Sequence, residues 1–205
     1  MMVYWRGAEL LRSTVRLLNL KDSLAAAVVS RSVLELSSSY LMNVNSVQRI
    51  FAELPADMTS KVFGSQELEE DILRYIWGTR LPCQEDIYKQ TNILGVLQKL
   101  TKAPQADQLL PRYEHLCEVA RPNVMGNMRF WSDEAEPLPD GSERRTLLRH
   151  QETGACRRIV EDSLWAIGWS AGCFRNGFTM LHESISLLLR RLPSPSDGGS
   201  AQPSA

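Results

Sequence analysis

Apolar residues recur at helical spacing along most of this chain, and the breaks between the runs fall at proline, glycine and capping residues. Residues 3–20 predict a first helix, with Ala8, Leu11, Val15 and Leu18 on one stripe. Asp22 or Ser23 can accept the free amide hydrogens that open a second helix, which runs to Leu54, where Pro55 disfavours helical geometry at the residue before it. A third helix is expected from about Ser65 to Gly78. A fourth is expected from about Glu85 to Leu100, with Ile87, Leu94, Leu97 and Leu100 aligned. A fifth covers about Asp107 to Ala120, where Pro111 is tolerable because it falls in the opening turn.

The segment 121–152 changes character, with Pro122, Gly126, Pro137, Pro139 and the turn-forming pair Asp140-Gly141. It predicts a short irregular insertion or β-hairpin around that turn. Helical periodicity returns from Ala155 to Leu192, and the tail 193–205 is too polar to pack, so disorder is expected there. The fold class is therefore all-α: a five- to six-helix bundle in one domain, 1–192, with the insertion near 122–152.

The second helix carries the most informative pattern. At 100° per residue, Leu24, Val28, Arg31, Glu35, Ser38 and Met42 fall along one line, while Val29, Val33, Leu36 and Tyr40 cover nearly the opposite side. A helix apolar on two sides is central in a bundle, which would enclose Arg31 and Glu35 four positions apart, where they can pair. Such a pair either organises a polar pocket or satisfies itself and fixes how helices register. A third reading is that this face is less buried than its leucines suggest.

Composition narrows the function classes. A net charge of −1 over 205 residues, with 23% charged and 43% apolar residues, announces neither a polynucleotide partner nor an acidic tail. Arg6, Glu9, Arg12 and Arg16 interrupt the apolar core that a secretory leader requires. The most apolar stretch, Leu164 to Phe174, falls short of the roughly 20 residues that cross a bilayer. A cytoplasmic location with reduced thiols at Cys83, Cys117, Cys156 and Cys173 is expected, with no membrane partner. No metal is expected, because the chain has no Cys-x-x-Cys and no His-x-x-x-His. No cofactor is expected either: phosphate-binding glycine loops are absent, and Gly168-x-x-x-Gly172 reads as a place where helices approach closely. The last helix, with Trp165, Ile167, Trp169, Phe174, Phe178, Leu181, Ile185, Leu188 and Leu189, reads as core, and any exposed remainder would serve as a homodimer interface.

The run Tyr113-Glu114-His115-Leu116-Cys117-Glu118-Val119-Ala120-Arg121-Pro122-Asn123-Val124-Met125-Gly126 and the Arg31-Ser32-x-x-Glu35 helix resemble a group of uncharacterised bacterial all-helical proteins related to HEPN-like bundles. The resemblance covers about residues 20–130. It implies a helical bundle from a mobile-element, stress or defence setting, with a Tyr-x-x-Leu-Ser/Cys-Glu-x-x-His-Pro-Asn-x-x-Gly motif. Here Arg121 stands where that motif has histidine, and a guanidinium does not deprotonate in proteins, so it cannot act as a general base. A HEPN ribonuclease also needs Arg-x4–6-His; no histidine follows Arg112 at that spacing, and Arg144 or Arg145 before His150 falls in the proline-rich hairpin region rather than on a bundle helix. Two functions follow. One is a module acting through protein contacts, as a homodimer or with another protein. The other is a HEPN-like ribonuclease or hydrolase that gathers Arg31, Glu35, Tyr113, Glu118, Arg121 and Asn123 in one pocket, with Glu35 or Glu118 as base. RNA becomes a partner only under the second.

Overall fold

In the computed structural model of the chain, residues 2–53, 66, 69–71, 92–104, 106–121, 135–144, 146 and 154–191 are described. The elements with defined bounds are α1 (Met2–Asn19), α2 (Ser23–Glu53), α3 (Ile93–Leu100), α4 (Leu109–Ala120), the two-residue strands β1 (Glu136–Pro137) and β2 (Glu143–Arg144), and α5 (Gly154–Arg191). The fold is all-α, a helical bundle with one short hairpin. The chain divides into two compact units, residues 1–42 with 91–176, and residues 43–90 with 177–205.

In the first unit, α1 and α2 are joined by a tight turn. Lys21 takes a left-handed φ of 58°, and the Asp22 amide donates back to the Leu17 carbonyl at 2.9 Å, which closes α1. Asp22 then opens α2, its Oδ1 accepting from the Ala25 amide at 3.2 Å. The buried line of α2 is Ser23, Ala26, Ser30, Val33, Ser37 and Tyr40, spaced alternately three and four apart. That of α5 is Cys156, Ile159, Ser163, Ala166, Ser170 and Cys173, with the same spacing. Ser37 Oγ lies 3.0 Å from Ser170 Oγ and hydrogen-bonds the Cys173 thiol, while Tyr40 packs on Phe174. The two helices therefore run in the same direction, in a heptad register lined by small side chains.

This line corrects the sequence-based reading of α2. Ala26, Ala27, Ser30 and Ser37 are fully buried and lie on neither stripe; Ser38 of the first stripe and Val33 of the second are buried with them, while Leu24 and Val28 are exposed. On α1 the innermost residues are Gly7 and Thr14, whereas Ala8 and Val15 are exposed. A Cβ on Gly7 would stand 2.5 Å from Phe174 Cζ, so the absence of a side chain there admits the ring. Phe174 also meets Tyr4 and Tyr40, whose hydroxyls hydrogen-bond each other.

The main core joins Ala27 and Leu34 of α2 to Val96, Leu97 and Leu100 of α3, Leu109, Tyr113, Leu116 and Val119 of α4, and Cys156, Ile159 and Ala166 of α5. Of the helix expected over Glu85 to Leu100, the described part begins at Ile93, where Asn92 is extended and its side chain accepts from the Leu94 amide; Glu85 to Thr91 lie outside the described residues. The expected turn at Asp140-Gly141 is present, with Gly141 at φ 80° and Asp140 Oδ1 accepting from the Ser142 amide at 2.9 Å. Glu136 pairs with Arg144 and Pro137 with Glu143 across it. Residues 122–134, 145 and 147–152 of the expected insertion lie outside the described residues.

In the second unit, Val44, Val47 and Ile50 of α2 are buried. Asp71 joins them to a short helical stretch, accepting from Ser46 Oγ at 2.5 Å through its carboxylate and from Asn43 Nδ2 at 3.4 Å through its carbonyl. The expected third helix and the 193–205 tail otherwise lie outside the described residues. Among the described residues, no helix is long and apolar enough to cross a membrane.

Candidate functional site

Helix α4 carries polar side chains on two flanks of its buried ridge. Toward α2, Glu35 Oε1 accepts from Arg31 Nε at 2.9 Å and from the Tyr113 hydroxyl at 2.7 Å. Tyr113 also hydrogen-bonds Cys117, whose electrostatic neighbours include Arg31 and Arg121. Glu35 and Tyr113, and Arg31 and Cys117, match if α4 runs opposite to α2. Of the six residues expected in one pocket, Arg31, Glu35 and Tyr113 thus come together, at a rim. The side chains of Arg31 and Glu35 are 40% and 33% exposed, where enclosure was expected.

The electrostatics suit a tie between helices. Burial pushes the Tyr113 hydroxyl well above its ordinary range, and donation to Glu35 adds to that. Burial also raises the Cys117 thiol, against the opposing pull of Tyr113 and Arg31. Burial is the largest single effect on Arg31 and acts to lower it, but the Glu35 hydrogen bond and charge, with Cys117 and Tyr113, together outweigh it and the guanidinium is held charged. Glu35 already accepts two donors, and the neutral Cys117 thiol is a poor nucleophile. Arg121 lies outside this cluster of bonds: it is exposed and meets Glu118 at 3.5 Å, one turn back. Asn123 lies outside the described residues.

On the other flank stands a cluster that the sequence reading did not assemble. Asp162 of α5 is buried, and its Oδ1 accepts from Arg112 Nη1 at 2.5 Å while its Oδ2 meets His115 Nδ1 at 2.6 Å. Arg112 also lies over the Trp165 ring, 5.5 Å from its centroid, and Trp165 stacks on Trp169 at 5.4 Å. The Arg112 Nε and Trp169 Nε1 atoms are buried without hydrogen-bond partners. The available sequence signal was position: Arg112 and His115 are three apart on α4, so they share a face. Asp162 is 50 residues away from Arg112 and could not be paired with them from spacing.

Cys117 and Cys173 are free thiols. Among the described residues, no group of three or more His, Cys, Asp or Glu side chains is placed to hold a metal ion. No family model matches the chain, and no curated protein and no solved structure matches it.

Proposed function

We propose that the chain works through protein contacts, as a helical module in the reducing interior of a cell. The observation that carries this reading is the apolar surface that α5 leaves in contact with water. Leu164 is 55% exposed in the first unit, and Phe178 and Leu189 are 58% and 62% exposed in the second. Large side chains grouped on one helix at such exposure mark interaction surfaces. The polar groups of the sequence motif support the same reading, since Glu35 is occupied by two donors and joins α2 to α4. Its resemblance to HEPN-like bundles suggests a mobile-element, stress or defence setting.

Light scattering on the full chain at micromolar concentration tests this, together with affinity purification from its source cells. A dimer or a co-purifying protein is expected. A monomer that retains no partner overturns the reading.

A second reading, a ribonuclease or related hydrolase, draws on one observation: Asp162 holds Nδ1 of His115, the arrangement that orients an imidazole as a base. It moves the catalytic role from Glu35 to His115, with Arg112 beside the same carboxylate, at a spacing shorter than the HEPN motif. Total RNA incubated with wild type, His115→Ala and Glu35→Ala decides it. Cleavage lost only in His115→Ala supports this reading, whereas equal cleavage by all three, or none, removes it.

A further inference from the structure

Within the first unit, α5 presents an outward face made of Glu161, Leu164, Gly168, Ala171, Gly172 and Arg175. Five of these are exposed, Leu164 by 55%, and Gly172 is half-buried. A Cβ added to Gly168 or Gly172 would meet no described atom within 4 Å, so among the described residues neither glycine serves the close helix approach that the sequence suggested. Glycine inside a helix costs about 1 kcal/mol relative to alanine, and two such positions without a contact among the described residues suit the approach of an external surface.

The order of residues says what that contact is. Glu161 and Arg175 each lie seven positions from Gly168, and Leu164 and Gly172 each lie four from it, on opposite sides. The face is therefore its own complement under a two-fold axis through Gly168. An antiparallel second copy sets Glu161 against the partner's Arg175 at both ends, about 10 Å from the centre along the helix. It also sets Leu164 into the notch left by the partner's Gly172, and brings the two Gly168 backbones together. A parallel pair would oppose Glu161 to its own copy and Arg175 to its own copy, and like charges facing each other are disfavoured. An isologous contact of this kind closes as a dimer and does not propagate.

The geometry points to this face as a homodimer interface, antiparallel and centred on Gly168. The inference rests on the protein-contact reading and names its partner as a second copy of the chain.

Charge reversal and cross-linking on the full chain test it. Glu161→Arg alone, or Arg175→Glu alone, is expected to weaken the dimer at least about tenfold in light scattering across a dilution series. The double variant Glu161→Arg/Arg175→Glu is expected to restore it, which a merely misfolded single variant would not explain. Gly168→Cys is expected to give a disulfide-linked dimer under mild oxidation, while wild type treated alike does not. A wild-type chain that is monomeric overturns this interface, even if another protein co-purifies and the broader reading stands. A dimer unaffected by either reversal and not trapped by Gly168→Cys also overturns it, and leaves dimerisation itself intact.

Discussion

Two residues show how single positions set local energetics. Gly7 leaves room for the Phe174 ring, which Tyr4 and Tyr40 hold from the other sides. Gly7→Ala therefore forces the ring or α1 to move, and overpacking of this kind costs about 1–3 kcal/mol. A urea melt should show a lower midpoint with unchanged slope, and a midpoint at or above wild type would mean that the ring yields freely. Asp162 is buried and takes a donor on each oxygen. Asp162→Ala leaves Arg112 and His115 without their shared acceptor, and losing one side of a buried ionic contact costs about 3–5 kcal/mol. The expected result is a chain close to unfolding at room temperature. A loss below about 1 kcal/mol would show that water replaces the carboxylate easily.

At the scale of elements, α2 and α5 meet through hydroxyl and methyl groups, and those hydroxyls are unequally satisfied. Ser37 Oγ is within hydrogen-bonding distance of Ser170 Oγ and the Leu34 carbonyl. Ser30 and Ser163 are fully buried one heptad earlier on the same lines, and neither hydroxyl has a partner. A buried hydroxyl without a hydrogen bond is destabilising by about 1–3 kcal/mol. Ser163→Ala should accordingly raise the thermal midpoint, whereas Ser37→Ala should lower it by the loss of about 1 kcal/mol. Equal effects in calorimetry would contradict the assignment of one satisfied and one unsatisfied layer.

For the molecule as a whole, acidic groups kept neutral by burial set its alkaline limit. Burial pushes the Cys173 thiol from 9.0 to about 12, with the Ser37 hydrogen bond opposing. Burial also raises Tyr4 and Tyr113. A group with a raised folded value binds its proton more tightly in the native state, so its contribution is complete below the unfolded value and is lost as pH rises toward the folded one. Stability should decline from about pH 9 upward, and Cys173→Ala should flatten part of that decline between 9 and 12. Identical pH profiles for the two proteins would show that this thiol titrates alike folded and unfolded. The all-α class, the Asp22 start of α2, the limits of α5 and the Asp140-Gly141 turn were legible in the sequence, because caps, turns and periodicity act over a few neighbouring residues. So was the Arg31–Glu35 pair, one helical turn apart. Its exposure was only one of three open readings, because hydropathy passes over serine and alanine, and those residues face inward where helices come closest. The junction of Asp162 with Arg112 and His115 likewise depended on which faces of α4 and α5 meet, a choice made by packing among residues distant in the chain.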